Sequence, residues 1–128
     1  MDPRGGMYND FDMQLFTWDE MPKEQLNDLI GRKMVVGEKA MAAQIFIAKG
    51  GVVPEHHHEA EQITYILEGA LKFHIEGQDI VVNKGQVLVI PSNVPHSAVA
   101  LEDTLDLDLF SPLRYDWLNK TDDYLRKK

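Results

Sequence analysis

The sequence predicts an all-β domain, a barrel or sandwich of short antiparallel strands. From Met34 onward the apolar residues come in short runs, MVVG, AAQIFIA, ITYILEG, ALKFHIEG, IVV, VLVIP and TLDLDLF. Turn-forming Gly, Asn and Pro separate them, at Gly50 and Gly51, at NKG and at SNVP. Several short strands closely spaced by such turns build a barrel or a two-sheet sandwich. A chain of 128 residues with 44% hydrophobic content supports one domain with one core.

Taken in order, residues 1–12 combine Pro, paired Gly, Asn and Asp without periodicity and are expected to form a flexible N-terminal arm. Residues 14–18 look like a short strand. Residues 19–31 hold Pro22 and a Leu26/Leu29/Ile30 stripe that suggests one or two helical turns. The barrel domain is expected over residues 13–118. A C-terminal tail over 119–128 ends in a short amphipathic turn, with Trp117, Tyr124 and Leu125 as packing residues of this region.

Charge and composition narrow the partners. With 21 acidic against 13 basic side chains, the formal charge of −8 repels a phosphate backbone, so nucleic acid is not an expected partner. There is no cysteine, hence no disulfide and no thiolate ligand, and any metal must be held by imidazole, carboxylate or amide groups. No apolar run has signal-peptide or bilayer length, which predicts a cytoplasmic chain without membrane association.

Residues 56–62 read HHHEAEQ, between GGVVP and the apolar run ITYIL. Side chains two apart on an extended strand share a face, so His56 and His58 project together and His57 points away. An exposed His-rich loop is the competing reading of HHH alone. Gln62 groups with Thr64 and Ile66, and is either an edge glutamine or a neighbour of the imidazoles. In LKFHIEG, Leu71, Phe73 and Ile75 share one face, leaving Lys72 and His74 outward.

These residues carry a family resemblance. Gly50, His56, His58, Gln62 and Gly69 match the spacing of the first cupin motif, and Gly85, Pro91 and His96 that of the second. The chain thus resembles a small single-domain cupin, which implies a double-stranded β-helix or jelly-roll barrel holding one divalent transition metal. His56, His58, Gln62 and His96 are the implied ligands. Gln62 replaces the usual Glu, Asn93 a Gly, and Ala100 an Asn. Asn tolerates the left-handed backbone of a turn glycine. A neutral amide beside three imidazoles leaves the site at about +2, which favours an anionic ligand. Ligand softness points to nickel, zinc, iron, manganese or cobalt.

In TLDLDLFSPLR, Asp106, Asp108 and Phe110 alternate with Leu105, Leu107 and Leu109. Alternation alone leaves two readings open: leucines in the core with solvated acids, or acids in a wet lumen with leucines against a second subunit. VVPEHHHEAEQITYILEG, IPSNVPHSAVALED and DLFSPLRYDWL closely resemble a cupin subgroup of pectin-degradation proteins that open 4,5-unsaturated uronates. That likeness runs from about residue 44 to 118. It implies that Asp108, Phe110 and Arg114 belong to the site, with Asp108 as proton shuttle, Arg114 gripping a carboxylate and Phe110 excluding water. Arg114 on its own also reads as a surface arginine. The expected partner is then a small anionic sugar and the expected assembly a homodimer. A cupin dioxygenase using iron or nickel, and a non-catalytic sugar- or effector-binding cupin, are the alternatives, because fold alone does not choose.

Overall fold

The computed structural model describes residues 7–8 and 13–126. In chain order the strands are β1 (Met7–Tyr8), β2 (Gln14–Leu15), β3 (Glu24–Gln25), β4 (Ile30–Val36), β5 (Met41–Ile47), β6 (Val52–His56), β7 (Glu61–Glu68), β8 (Ala70–Ile75), β9 (Gln78–Asn83), β10 (Val87–Ile90), β11 (His96–Ala100) and β12 (Thr104–Ser111). Two short helices follow, α1 (Tyr115–Leu118) and α2 (Asp123–Arg126). Alternating burial along β5 and β12 follows from the two-residue period of a strand with one face on a core. None of the described helices is long and apolar enough to cross a membrane.

Two antiparallel sheets enclose the core, one ordered β10-β7-β12-β5-β4-β3 and the other β6-β11-β8-β9. Ile45, Ile47 and Ile66 from the first meet Leu71, Phe73 and Val82 from the second. This is the all-β jelly roll expected from the sequence. Gly69, between β7 and β8, has φ of 88°, and a Cβ there would lie 2.4 Å from the Asp103 carbonyl oxygen. Asn93 adopts φ of 63°, so asparagine does take the turn conformation usually left to glycine. Its N–H donates to the His58 carbonyl at 2.8 Å, tying the β10–β11 turn to the histidine loop.

The N-terminal part departs from expectation. Of the arm read over residues 1–12, only β1 lies within the described residues, paired antiparallel with β2. The strand expected over 14–18 is confined to Gln14–Leu15. The helical turns expected over 19–31 reduce to one 3-10 turn, Trp18–Glu20. Asn27 explains why: its Oδ1 accepts from the N–H of Leu29 at 2.8 Å and of Ile30 at 3.0 Å, closing a turn between β3 and β4 instead of a helix. Leu26 and Ile30 reach the core from this turn, whereas Leu29 is exposed.

After β12 the chain packs back across one end of the barrel. Trp117 and Leu125 are buried, and Asp122 is fully so. Arg32, also buried, donates to Glu24 and pairs with Asp122 at 2.8 Å. Arg126 closes the network on Asp122 at 3.1 Å and on Glu24 at 2.9 Å. The guanidinium of Arg32 also stacks over Trp117 at 4.4 Å. Asp122→Ala would strand the Arg32 charge in the interior, a loss of about 3–5 kcal/mol by the usual cost of breaking a buried pair. Chemical denaturation should show a midpoint well below that of the parent; an unchanged midpoint would mean that Glu24 alone satisfies Arg32.

Candidate metal centre

Three chain segments bring the imidazoles together. His56 ends β6, His58 follows in the loop, and His96 opens β11 directly across from His56 in the register. Ring centroids lie 4.4 Å apart for His56 and His96, 5.1 Å for His58 and His96, and 5.4 Å for His56 and His58. One ring nitrogen from each lies within 4.8 Å of the others.

The backbone selects the tautomer. Nδ1 of His56 faces the Pro54 carbonyl at 2.8 Å, that of His58 the Ala60 carbonyl at 2.8 Å, and that of His96 the Val94 carbonyl at 2.9 Å. A carbonyl only accepts, so each Nδ1 carries the hydrogen and each Nε2 keeps its lone pair. Burial pushes His56 down to about 3 and His58 to about 4, the nearby Arg114 charge adding to both shifts. His96 is lowered for the same leading reason. All three are therefore neutral near pH 7. The Nε2 of His58 is buried without a hydrogen-bond partner. Three neutral imidazoles with oriented second nitrogens suit a divalent transition metal.

Gln62, on β7, is buried and donates Nε2 to Thr64 Oγ1 at 2.8 Å; Thr64 Oγ1 in turn donates to Asp108 Oδ1 at 2.7 Å. That chain commits the amide nitrogen, so the carbonyl oxygen is the end of Gln62 left to offer a metal. His56, Gln62, His96, Asp106, Asp108 and Arg114 line one lumen. The aspartate face of β12 therefore points inward, and Leu109 is exposed on the other side. Burial raises both acids. Asp106 is raised by desolvation and then by the adjacent Asp108 charge, and the two carboxyls are hydrogen-bonded to each other.

Arg114 is buried, which removes the surface reading. Its guanidinium forks onto Asp116 at 2.9 and 2.8 Å and also donates to the Tyr124 hydroxyl. It lies over Trp117 at 4.5 Å and over Phe110 at 5.1 Å. Phe110 meets His58 edge-on at 5.7 Å. Burial alone would raise Asp116, but the Arg114 hydrogen bonds and charge outweigh it and hold the carboxyl low. Tyr124 stacks on His56 at 4.5 Å. With Trp117 and Leu125 it crowds the mouth, leaving a cavity of about 40 Å³, room for a few waters.

The comparisons agree with this geometry. The family model for the cupin domain matches residues 44–111, a little over half of the chain. The chain is a member of the cupin family. It is 34% identical over 106 residues to the pectin degradation protein KdgF of Dickeya dadantii (strain 3937), covering 80% of this chain and 96% of that protein. The solved structure of KdgF from Halomonas sp. superposes with a TM-score of 0.76 at 36% identity, covering 81% of this chain and 99% of the other. An RmlC-like cupin from Shewanella frigidimarina gives 0.75 at 27% identity, covering 80% and 93%.

His56, Gln62, His96, Asp108 and Arg114 line the lumen of this cupin, His58 packs beside His56 and His96, and Phe110 packs against His58, while His57 and His74 are exposed. The sequence reading missed three participants. The alternation groups Asp106 with Asp108 without giving it a role. Asp116 carries the signal of an acid two residues after an arginine, which is weak. From sequence Tyr124 is only a packing residue, because nothing local tells that the tail folds back onto His56.

Proposed function

We propose that this cupin is a metal-dependent enzyme that opens the ring of small 4,5-unsaturated uronates from pectin or alginate and tautomerises the product. The observation that carries the reading is a cluster of three neutral imidazoles beside a lumen lined by a buried carboxylate and a buried arginine. The likeness to a protein named for pectin degradation supports the substrate class. His56, His58, Gln62 and His96 would hold one nickel, zinc, iron, manganese or cobalt ion, which supplies a Lewis acid toward the substrate's oxygens.

The remaining chemistry belongs to side chains. Arg114 presents its charge to the substrate carboxylate, with Asp116 fixing the plane of the guanidinium. Tyr124 must turn away from His56 to admit a sugar. Asp108 takes the proton of the anomeric hydroxyl as the C1–O5 bond breaks, leaving an aldehyde at C1 and an enolate at C5. Returning that same proton to C4 converts the enolate to the ketone, so a single carboxylate serves both steps and no electrons are gained or lost. Phe110 walls the site against water.

The test is an oxygen-free assay of the metal-loaded protein on an unsaturated uronate, following loss of the double-bond absorbance. Acceleration over the uncatalysed opening supports the reading. Dependence on oxygen, or binding without turnover, would favour a dioxygenase or an effector-binding cupin.

We also propose a homodimer. Val87, Tyr65 and Leu107 adjoin across the outer face of the first sheet, as do Val89, Ile63 and Leu109, and Val87, Val89, Tyr65 and Leu109 are exposed. A second copy covering this face would bury it. Sedimentation should give twice the chain mass and Leu109→Lys should return a monomer; a monomeric parent would refute the assembly.

A further inference from the structure

The neighbours of the buried Arg114 guanidinium decide which of its N–H hydrogens a ligand can use. Nε and one Nη2 hydrogen go to Asp116, at 2.9 and 2.8 Å, which takes that edge of the fork. The second Nη2 hydrogen goes to the Tyr124 hydroxyl. A carboxylate gripped end-on needs one hydrogen from each terminal nitrogen, so the one on Nη2 is already committed. Trp117 Nε1 also donates to the Tyr124 hydroxyl, at 3.4 Å, and the hydroxyl donates its own hydrogen to Asp116 Oδ2 at 3.4 Å. The phenol oxygen thus sits among donors as a ligand oxygen would. Its ring lies on His56, with centroids 4.5 Å apart and planes 24° from parallel, and the cavity it helps line is about 40 Å³. Pockets for small molecules run to about 300 Å³ or more, so a sugar ring does not enter while Tyr124 stays.

The backbone on either side of Tyr124 is anchored. Asp122 is buried against Arg32 at 2.8 Å, the carbonyl of the buried Leu125 accepts from Asn27 Nδ2 at 2.8 Å, and Arg126 pairs with Glu24 at 2.9 Å. Lifting the whole tail would break all three contacts, whereas turning the Tyr124 side chain breaks none of them. The ring is only half-buried, so a rotation of the side chain carries it toward solvent. We propose that Tyr124 is a side-chain gate that stands in for the acid group of the ligand. Closed, its hydroxyl holds the Nη2 hydrogen of Arg114 and its ring covers His56; an entering carboxylate takes over that hydrogen as the ring swings out. The gate favours acids, because a neutral sugar offers Arg114 nothing of like strength in exchange. The proposal rests on the reading of Arg114 as the partner of a uronate carboxylate and adds what must leave it first.

The test measures by calorimetry the affinity of D-galacturonate, and of D-galactose as its neutral counterpart, for the full-length metal-loaded parent, Tyr124→Phe and Tyr124→Ala, and adds a crystal structure of the parent with galacturonate. Tyr124→Phe keeps the ring and frees the Arg114 hydrogen. Galacturonate should then bind about tenfold more tightly, the weight of one charge-assisted hydrogen bond that entry no longer breaks, while galactose gains nothing. Tyr124→Ala also clears the space over His56 and should tighten galacturonate at least as much. In the complex the carboxylate should accept from Arg114 Nη2, with the Tyr124 hydroxyl moved off it. Weaker acid binding in either variant would make Tyr124 part of the ligand's own binding surface, and unchanged binding would make it packing alone; either result overturns the gate. So does a complex in which the Tyr124 hydroxyl still accepts from Arg114, a gain shared equally by galactose in Tyr124→Phe, or no galacturonate binding in any of the three proteins. A gate that passes these tests in a protein that never opens an unsaturated uronate sinks the proposed reaction alone. Turnover with an acid affinity indifferent to residue 124 sinks the gate alone.

Discussion

Replacing His56, His58 or His96 with alanine is expected to take bound transition metal from one ion per chain to a trace after dialysis. Each imidazole is locked by its own carbonyl with Nε2 facing inward, so the three donors are organised before metal arrives. Removing one leaves two neutral imidazoles and an amide, with no thiolate in the chain to replace it. Loss of even a supporting hydrogen bond to a ligand costs about 10–100-fold in metal affinity, and loss of the ligand itself should cost more. Elemental analysis of purified parent and variants decides the matter. The metal-free variants should remain folded, because the rings sit at the end of the barrel and its core lies between the sheets. Full loading in all three variants would show that the cluster is not the metal site.

Much of the site was legible because its spacing is short and strand-like. His56 ends β6 with His58 two residues on, Gln62 is the second residue of β7, and a two-residue period is enough to place such side chains on one face. Asn93 was legible for a backbone reason, since few side chains besides glycine accept a positive φ. The β12 alternation was only half legible. It groups Asp106 with Asp108 and Leu107 with Leu109, but which face turns inward depends on the strands placed either side, β5 and β7. Residues 19–31 misled because a Leu26/Leu29/Ile30 spacing fits a helical stripe as well as a turn, and the Asn27 side chain settles it in favour of the turn. Asp116 and Tyr124 stayed hidden for a different reason. Their contacts with Arg114 and His56 arise where α1 and α2 fold across the barrel mouth, held by Asp122 on Arg32, a pairing 90 residues apart in number.

Asp108→Asn should lower kcat on an unsaturated uronate by about 10²- to 10⁴-fold with little change in KM, the span typical of losing a general acid–base group. The amide keeps the size of the carboxyl and can still accept from Thr64, which donates at 2.7 Å, so the lumen and its metal ligands should persist. What disappears is the capacity to take a proton from oxygen and return it to carbon. Burial raises Asp108 above the usual carboxylate range, against the opposing pull of its neighbours Asp106 and Thr64 and of the Arg114 charge. Its basic form is therefore lost on acidification earlier than that of a free aspartate, and kcat of the parent should fall on the acid side at a correspondingly higher pH. Arg114→Ala should act on the other parameter, raising KM by removing the partner of the substrate carboxylate. It should also lower the melting temperature, because Asp116 loses both arms of its fork and Trp117 loses the cation stacked on it. The two variants separate holding from proton movement. If Asp108→Asn turns over at the parent rate, Asp106, the other acid of the lumen, becomes the candidate for the proton, and Asp106→Asn would then be the variant to carry the kcat loss.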